Sequence, residues 1–196
     1  LVNLNMDTNY GIFEIGMDRK GEIDYLSNII KPDVGVITNI TYAHAKNFNT
    51  LFDIAKAKSE IIFNIRRNGT IVLNKDDKFF YYFSKLENKN NLEIITFGKY
   101  KNSDVSLSKI KKSKNNCILY VNVKSKIFKF TVHNNLLPYV DNILASIAVC
   151  KSLNIINKIK SNFFSKYKIP NGRGNIKKIF IGSKTVNIID ESYNSN

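Results

Sequence analysis

Cysteine is scarce in this sequence, and long hydrophobic runs are absent. The 196 residues include two cysteines, Cys117 and Cys150, at no spacing typical of a disulfide framework, which favours a reduced, cytoplasmic protein. No apolar stretch reaches the roughly 18 residues that a transmembrane helix needs, and the first residues do not resemble a signal peptide. Hydrophobic residues make up 43% of the chain, which is enough for a folded core. We therefore expect a cytoplasmic globular protein with no membrane partner.

Arginine is also scarce, although the chain is strongly basic. The net charge is +14, but only four of the 30 basic residues are arginines. The lysines are spread along the chain, whereas proteins that read nucleic acids concentrate basic residues, and arginine above all, on one surface. We therefore expect no nucleic-acid partner. The positive charge would instead help to attract an anionic small substrate.

The pattern of apolar segments predicts an α/β fold, with a mostly parallel sheet flanked by helices. Continuous apolar strands that alternate with helical segments are typical of a parallel sheet covered on both faces. The predicted strands of the first half are Tyr10–Gly16, Val34–Ile40, Thr70–Leu73 and Glu93–Phe97. The predicted helices between and after them are Gly21–Ile30, Leu51–Arg66 and Asp77–Leu86.

The pattern changes after Gly98, where short alternating strands predict a small antiparallel meander. These strands are Val105–Ile110, Ile118–Val123 and Ile127–Val132. Two helices, Tyr139–Leu153 and Ile155–Tyr167, are predicted next. A hairpin of Ile176–Ile181 and Thr185–Ile189 is predicted to close the fold.

Three polar residues of the first half, Glu14, His44 and Lys58, carry functional chemistry. Glu14 lies in the predicted strand Tyr10–Gly16, His44 follows the next predicted strand, and Lys58 lies in the next predicted helix. Ligands gather at the carboxyl ends of parallel strands, so these side chains would meet there around a divalent metal and a nucleotide. A carboxylate paired with a lysine, a capping or core histidine and a solvated lysine are the alternative interpretations.

Six segments, in order along the chain, carry a resemblance to a known family. They are FEIGMDRKGEIDYLSNIIKPDVGVITNI, AHAKNFNTLFDIAKAKSEI, GTIVLNKDD, NILASIAV, PNGRG and IIDESYNSN. In this order they resemble the central ATP-binding domain of the Mur ligase family, with a poor match across the meander. Within the family, GMDRKGEI is most similar to the member that adds D-alanyl-D-alanine to a UDP-N-acetylmuramoyl tripeptide.

The resemblance implies a metal site made by Glu14, His44 and Lys58. Glu14 and His44 would be ligands of Mg²⁺, and Lys58 would carry a carbamate as a further ligand. The carbamate forms when a neutral amine takes up carbon dioxide, which turns a cationic group into an anionic oxygen ligand. Burial and a nearby cation both favour the neutral amine. The spacing from His44 matches the family at Lys58 and not at Lys56.

The resemblance also implies a group of residues that bind ATP. Arg173 would contact phosphate, which suits a bidentate guanidinium, and together with His44 and Lys58 it completes the expected catalytic residues. Asn142 would hold the nucleotide at the start of a helix, and its alternative role is a helix cap. The chain departs from the family just upstream, where LLPYVDN has Leu and Pro in place of Gly and His. The remaining expected nucleotide-binding residues are Asp190, Glu191, Tyr193 and Asn194, of which Glu191 replaces a more usual Asp.

The sequence contains no GxxxxGK[ST] phosphate-binding loop, although such a loop cradles nucleotide phosphates in many ATP-binding proteins. The resemblance implies that this loop and its strand would precede Leu1. We therefore expect a fragment, in which residues 1–189 are a partial central ATP-binding domain and residues 190–196 begin a linker to a further domain.

The resemblance implies an ATP-dependent amide-bond ligase of peptidoglycan precursor synthesis. Its substrates in the full protein would be ATP, a UDP-N-acetylmuramoyl peptide and D-alanyl-D-alanine, and we expect a monomer. Two alternatives stay open: another ligase of the superfamily, such as a folylpolyglutamate or cyanophycin synthetase, and a non-catalytic basic α/β binding module.

Overall fold

The structure, a computed structural model, describes residues 7–42, 47–86, 90–100, 102–190 and 192–194. The helices are α1 (Glu22–Ile30), α2 (Leu51–Asn64), α3 (Phe80–Ser84) and α4 (Val140–Ser152). The strands are β1 (Val34–Ile37), β2 (Thr70–Asn74), β3 (Glu93–Gly98), β4 (Val105–Lys112), β5 (Asn116–Val123), β6 (Lys126–His133), β7 (Asn175–Ile181) and β8 (Lys184–Asp190). Short 3-10 helices cover Asn134–Tyr139, Ile156–Lys158, Phe163–Lys166 and Ser192–Asn194.

Six strands form a mostly parallel sheet in the order β1-β2-β3-β4-β5-β6, and β7 and β8 form a separate antiparallel hairpin. Strand β4 pairs in parallel with β3, with Phe97 opposite Val105. Strands β5 and β6 continue the same sheet as the antiparallel meander, with Cys117 opposite Val132. The predicted α/β fold is therefore confirmed, and the meander extends the main sheet rather than standing apart from it. None of the helices in the described residues combines the length and apolarity needed to cross a bilayer.

The chain divides into two compact units, of which the first comprises Leu1–Ile71 and Asp77–Ile94. Its helix α2 starts with a capping box, in which Thr50 Oγ1 accepts from the Asp53 N–H and the Asp53 carboxylate accepts from the Thr50 N–H, both at 3.1 Å. Helix α1 has no side-chain cap of its own, because its N-cap residue is Gly21. The Glu60 carboxylate of α2 accepts from the Gly21 N–H at 2.9 Å instead, which joins the two helices.

Glycine allows close packing at the centre of β1. A Cβ atom at Gly35 would lie 2.6 Å from Cδ1 of Ile65, which is only 2% exposed. Because real Cβ atoms essentially never come so close to another carbon, a larger residue at position 35 would force the Ile65 side chain to shift. This packing holds the end of α2 against β1, and α2 carries Lys58.

The second unit comprises Val72–Asp76 and Ile95–Asn196. Its core lies between the meander and α4, where buried residues recur at helical spacing along α4 and at every second position along β5. Leu144 and Ile147 of α4 and Leu119 and Val121 of β5 are fully buried. This packing positions the first turn of α4, which carries Asn142.

The strand predicted for Tyr10–Gly16 is wrong. Residues 8–17 are irregular, and the side chains of Tyr10 and Ile12 are 60% and 97% exposed. A strand is stable only when a neighbour takes up its N–H and C=O groups, and no pairing involves this segment among the described residues. Apolar composition alone therefore gave a false indication here.

The helix predicted for Ile155–Tyr167 is also wrong, because only two short 3-10 turns form there. Asn154, which precedes the segment, has a left-handed φ of 56°. The Ser161 carbonyl accepts from the Thr131 N–H of β6 at 2.7 Å, and the Phe164 ring packs edge-on against Phe130. The segment follows the exposed edge of β6, and satisfying that edge outweighs continuing a helix. The other predicted elements are confirmed with small shifts at their ends, of which the largest shortens Asp77–Leu86 to Phe80–Ser84.

Candidate functional site

Lys58 lies on the buried side of α2. It is one turn from both Ile54 and Ile62, each only 1% exposed, so the three side chains share one face of the helix. The side chain is half-buried, and its Nζ donates to the carbonyl oxygen of Asn39 at 3.0 Å. Asn39 lies two residues beyond the carboxyl end of β1. The amine is thus held at the edge of the sheet where ligands bind in parallel α/β folds.

The pKa of Lys58 is shifted by its surroundings. Burial lowers the pKa of the ammonium below its usual value, and the Asp77 carboxylate acts in the opposite direction. A lowered pKa means that the neutral, nucleophilic amine is reached at a lower pH than for a solvated lysine. Lys56, two residues away, is exposed and lies 4.5 Å above the ring of Phe52. The two lysines of this helix therefore have different environments.

Glu14 does not lie in the strand predicted for it. It is exposed and lies in the irregular segment that replaces the predicted strand. The expectation that Glu14 sits inside a strand near its carboxyl end is therefore wrong, because that strand does not form. His44 lies outside the described residues. No cluster of three or more His, Cys, Asp or Glu side chains suited to a metal ion occurs in the described part of the chain.

A second group of predicted residues comes together in the second unit. The guanidinium carbon of Arg173 lies 4.2 Å from the centre of the Tyr193 ring. The Tyr193 N–H donates to the Gly172 carbonyl at 3.0 Å, and the Gly174 N–H donates to the Asp190 carbonyl at 2.8 Å. The turn that carries Arg173 and the turn after β8 are thus joined by backbone hydrogen bonds.

Glycine at position 172 is needed for this junction. Its φ is +77°, a left-handed conformation, and a Cβ there would lie 2.8 Å from the backbone nitrogen of Tyr193. The Asp190 carboxylate accepts from the Ser192 hydroxyl at 2.7 Å and from the Ser192 N–H at 3.2 Å. These bonds lower the pKa of Asp190, which keeps an anion at the junction.

Tyr139 links this junction to the start of α4. Its hydroxyl donates to the carbonyl oxygen of Arg173 at 2.6 Å, and it lies immediately before the helix that begins at Val140. Asn142 is three residues away and exposed, and its carbonyl accepts from Ser146 Oγ at 2.9 Å. A helix N-terminus suits an anionic ligand such as a phosphate, and the backbone of Arg173 is linked to the residue just before this helix.

The structure therefore brings the backbones of Arg173, Asp190 and Tyr193 together. The start of α4, which carries Asn142, lies next to them. Asn194 lies in the 3-10 helix Ser192–Asn194, and Glu191 lies outside the described residues.

Sequence reasoning missed Asp77 and Tyr139. Asp77 lies in the LNKDD segment just after β2 and accepts from the Ile40 N–H at 2.8 Å. A signal for it was available, since an acid that follows a predicted strand of a parallel sheet faces the ligand edge. Tyr139 gave no such signal, because its hydroxyl acts on a carbonyl 34 residues away in the sequence.

Comparison with known proteins identifies the family. The model of the Mur ligase middle domain matches residues 1–150. A UDP-N-acetylmuramoyl-tripeptide--D-alanyl-D-alanine ligase of Buchnera aphidicola subsp. Baizongia pistaciae is 32% identical over 198 residues, which cover 100% of this chain and 42% of that protein.

Two solved structures show the same fold. MurF from Acinetobacter baumannii matches with a TM-score of 0.83 at 25% identity, over 100% of this chain and 41% of that one. MurF from Thermotoga maritima in complex with ADP matches with a TM-score of 0.74 at 26% identity, over 91% of this chain and 39% of that one. The chain thus spans about two fifths of the length of its relatives. With the family model matching most of its residues, this chain belongs to the Mur ligase family, through its middle domain.

Proposed function

We propose that this chain is the ATP-binding part of a ligase that joins D-alanyl-D-alanine to a UDP-N-acetylmuramoyl tripeptide. The relatives that match along its whole length carry that name. The observation that carries the proposal is the environment of Lys58: a half-buried amine with a lowered pKa, held at the ligand edge of the sheet. A solvated helix lysine would have none of these features.

Lys58 fits a carbamate. The nitrogen lone pair of the neutral amine forms a bond to the carbon of carbon dioxide, one C=O electron pair moves onto oxygen, and the nitrogen releases a proton to solvent. The product is an anion on a planar group. Burial assists the first step because it disfavours the ammonium form.

The described residues alone do not complete a magnesium site, because Glu14 is exposed and His44 lies outside them. The metal assignment to Glu14, His44 and carbamylated Lys58 therefore stays part of the proposal. Mg²⁺, when bound, would neutralise charge on the phosphates of ATP.

The residues of the second unit bind and orient the nucleotide in this proposal. The Arg173 guanidinium hydrogen-bonds to phosphate oxygens and stabilises the charge of the transferred phosphoryl group. Asn142, Asp190, Glu191, Tyr193 and Asn194 contact the nucleotide in the same proposal. The substrate carboxylate takes the γ-phosphoryl group to give an acyl phosphate, and the amine of D-alanyl-D-alanine then displaces phosphate.

The proposal extends to the domain assignment. Residues 1–189 form part of the central domain, and residues 190–196 begin a linker. The whole enzyme is then a cytoplasmic monomer, and this chain alone binds Mg-ATP weakly and does not turn it over.

The test uses two lysines on the same helix. Mg-ATP affinity is measured by calorimetry for the wild type, Lys58→Met and the matched control Lys56→Met, and carbamate is detected by NMR with ¹³C-labelled bicarbonate. We expect Lys58→Met to lose the carbamate signal and to bind Mg-ATP about tenfold more weakly or worse, the usual range for a lost metal-site contact. Lys56→Met should match the wild type. Equal affinity in both variants would refute the role of Lys58, and a wild type that neither binds Mg-ATP nor carries the carbamate would favour a non-catalytic module.

A further inference from the structure

A single peptide group at the end of β1 is held from both sides. The Asn39 carbonyl accepts from Lys58 Nζ at 3.0 Å. The Ile40 N–H, which belongs to the same peptide group, donates to Asp77 Oδ2 at 2.8 Å. Because the peptide is planar, fixing its N–H also fixes the direction of its C=O. The carboxylate of Asp77 therefore sets where the acceptor for Lys58 points.

Asp77 is itself held rigidly. Its Oδ1 accepts from the Phe79 N–H at 2.8 Å, and its own carbonyl accepts from the Phe80 N–H at 3.0 Å. The two carboxylate oxygens thus tie the segment after β1 to the segment after β2. Ile40 is only 8% exposed, so water competes little for the bond to its N–H.

We infer that Asp77 is a positioning residue, which orients Lys58 by locking the Asn39–Ile40 peptide. The inference rests on the proposed function, in which Lys58 carries a carbamate. The carbamate nitrogen keeps one hydrogen, and the group is planar. An N–H bond to the Asn39 carbonyl therefore fixes the plane of the carbamate as well as its nitrogen, so that its oxygens point in one direction. Partners that orient a ligand in this way commonly affect metal affinity or activity by about 10- to 100-fold.

The variant Asp77→Asn separates the effect of the side chain's hydrogen bonds from the effect of its charge. The carboxylate accepts two N–H groups, one on each oxygen, whereas an amide has one acceptor oxygen and its nitrogen would face the other N–H donor. The variant therefore loses one of the two bonds and frees one of the two segments. Asp77→Glu keeps the charge but moves the oxygens by one methylene. If Asp77 acts by positioning, the carbamate occupancy of Lys58 should fall in both variants. If only the charge of Asp77 matters, occupancy should rise in Asp77→Asn, because the Asp77 carboxylate disfavours the neutral amine, and it should not fall in Asp77→Glu.

The experiment measures carbamate occupancy of Lys58 in the full chain by NMR with ¹³C-labelled bicarbonate at fixed pH. It compares the wild type, Asp77→Asn, Asp77→Glu and the matched control Asp33→Asn, whose carboxylate makes an exposed ion pair with Arg66. Thermal unfolding by circular dichroism selects variants that are folded at the working temperature. Hydrogen exchange of the Ile40 amide and the rate of Lys58 acetylation, located by mass spectrometry, are measured on the same samples.

We expect occupancy to fall about tenfold or more in both Asp77 variants and to stay unchanged in Asp33→Asn. Unchanged or raised occupancy in a folded Asp77 variant would overturn the inference. If the wild type shows no carbamate at Lys58, the proposed function fails at that residue, and the exchange and acetylation rates decide the inference. Faster Ile40 exchange with an altered Lys58 acetylation rate would support it, and wild-type rates in Asp77→Asn would overturn it.

Discussion

Replacing Asp104 with asparagine tests how much one carboxylate near α4 contributes to the free energy of unfolding. One oxygen of this carboxylate, Oδ2, accepts from the Thr96 N–H at 2.9 Å and from Thr96 Oγ1 at 2.7 Å. Lys151 of α4 lies 3.9 Å from the other oxygen, and the Lys151 side chain is only 9% exposed. The carboxylate thus joins β3 to the C-terminal end of α4 and pairs with a cation that has little contact with water.

The magnitude follows from these contacts. Asparagine keeps a neutral acceptor oxygen but loses the charge, and charged hydrogen bonds contribute about 1.5–3 kcal/mol against about 1 for neutral ones. Lys151 is also left buried without its counter-ion, which costs more because little water replaces it. We expect Asp104→Asn to lower the free energy of unfolding by about 2–3 kcal/mol. Asp33→Asn, which removes an ion pair with side chains 61% and 74% exposed, should cost below about 1 kcal/mol.

The effect has a defined pH dependence. Partial burial raises the pKa of the Asp104 carboxyl, but the hydrogen bonds from Thr96 and the charges of Lys151 and Lys124 outweigh it, so the pKa lies below the usual 3.8. A carboxyl group with a lowered pKa in the folded state stabilises the protein above its unfolded-state pKa. This stabilisation is lost as the pH falls through the folded-state value. The difference between the wild type and Asp104→Asn should therefore be full at pH 7 and vanish well below pH 3.8.

The assay is urea unfolding followed by circular dichroism at pH 7 and at successively lower pH, with the slope of the transition checked for each variant. Equal losses in Asp104→Asn and Asp33→Asn would refute the argument that burial of Lys151 matters. A difference that persists unchanged into acid would refute the electrostatic origin.

Three further substitutions test the fold around the proposed sites. Thr50→Ala removes the cap of α2 and should cost about 0.5–2 kcal/mol in urea unfolding; no change would show that the capping box is unimportant. Gly35→Ala should lower the melting temperature, because the new Cβ clashes with the Ile65 side chain, and Ile65→Ala should partly rescue it. The melting temperatures of the single and double variants test this. If the effects of the two substitutions simply add, the two residues are not in direct contact. Leu144→Ala should cost about 2–5 kcal/mol because the side chain is fully buried, again by urea unfolding; a cost below about 1 kcal/mol would argue that α4 packs loosely.

The two errors in the predicted secondary structure have one cause. Tyr10–Gly16 has the composition of a buried strand, and Ile155–Tyr167 has apolar residues that a helix could bury, but neither pattern states which partner is available. The first segment has no ladder partner among the described residues. The second finds one in the exposed edge of β6, through the bond between Ser161 and Thr131. Local pattern predicts an element only when the rest of the fold provides the matching surface.

The candidate site also combines features that local sequence patterns predict with features that they do not. The half-buried position of Lys58 could be read from its spacing to Ile54 and Ile62, because three-to-four-residue periodicity places them on one helix face. The hydrogen-bond acceptor of Lys58 could not be predicted from the sequence. It is the backbone carbonyl of Asn39, and the direction of that carbonyl depends on Asp77, 38 positions later in the chain. Tyr139 and Arg173 meet for the same reason, through a contact that no local pattern encodes.

Sequence alone thus determined the α/β class, the meander, the hairpin and the family to which this chain belongs, because periodicity and ordered motifs are properties of neighbouring residues. Tertiary structure alone decided that Glu14 is exposed, that β6 takes its edge partner from the segment after α4, and that Asp77 and Lys58 hold one peptide between them. Those outcomes depend on which surfaces and hydrogen-bonding groups distant segments present to one another, and folding settles that competition through burial and pairing.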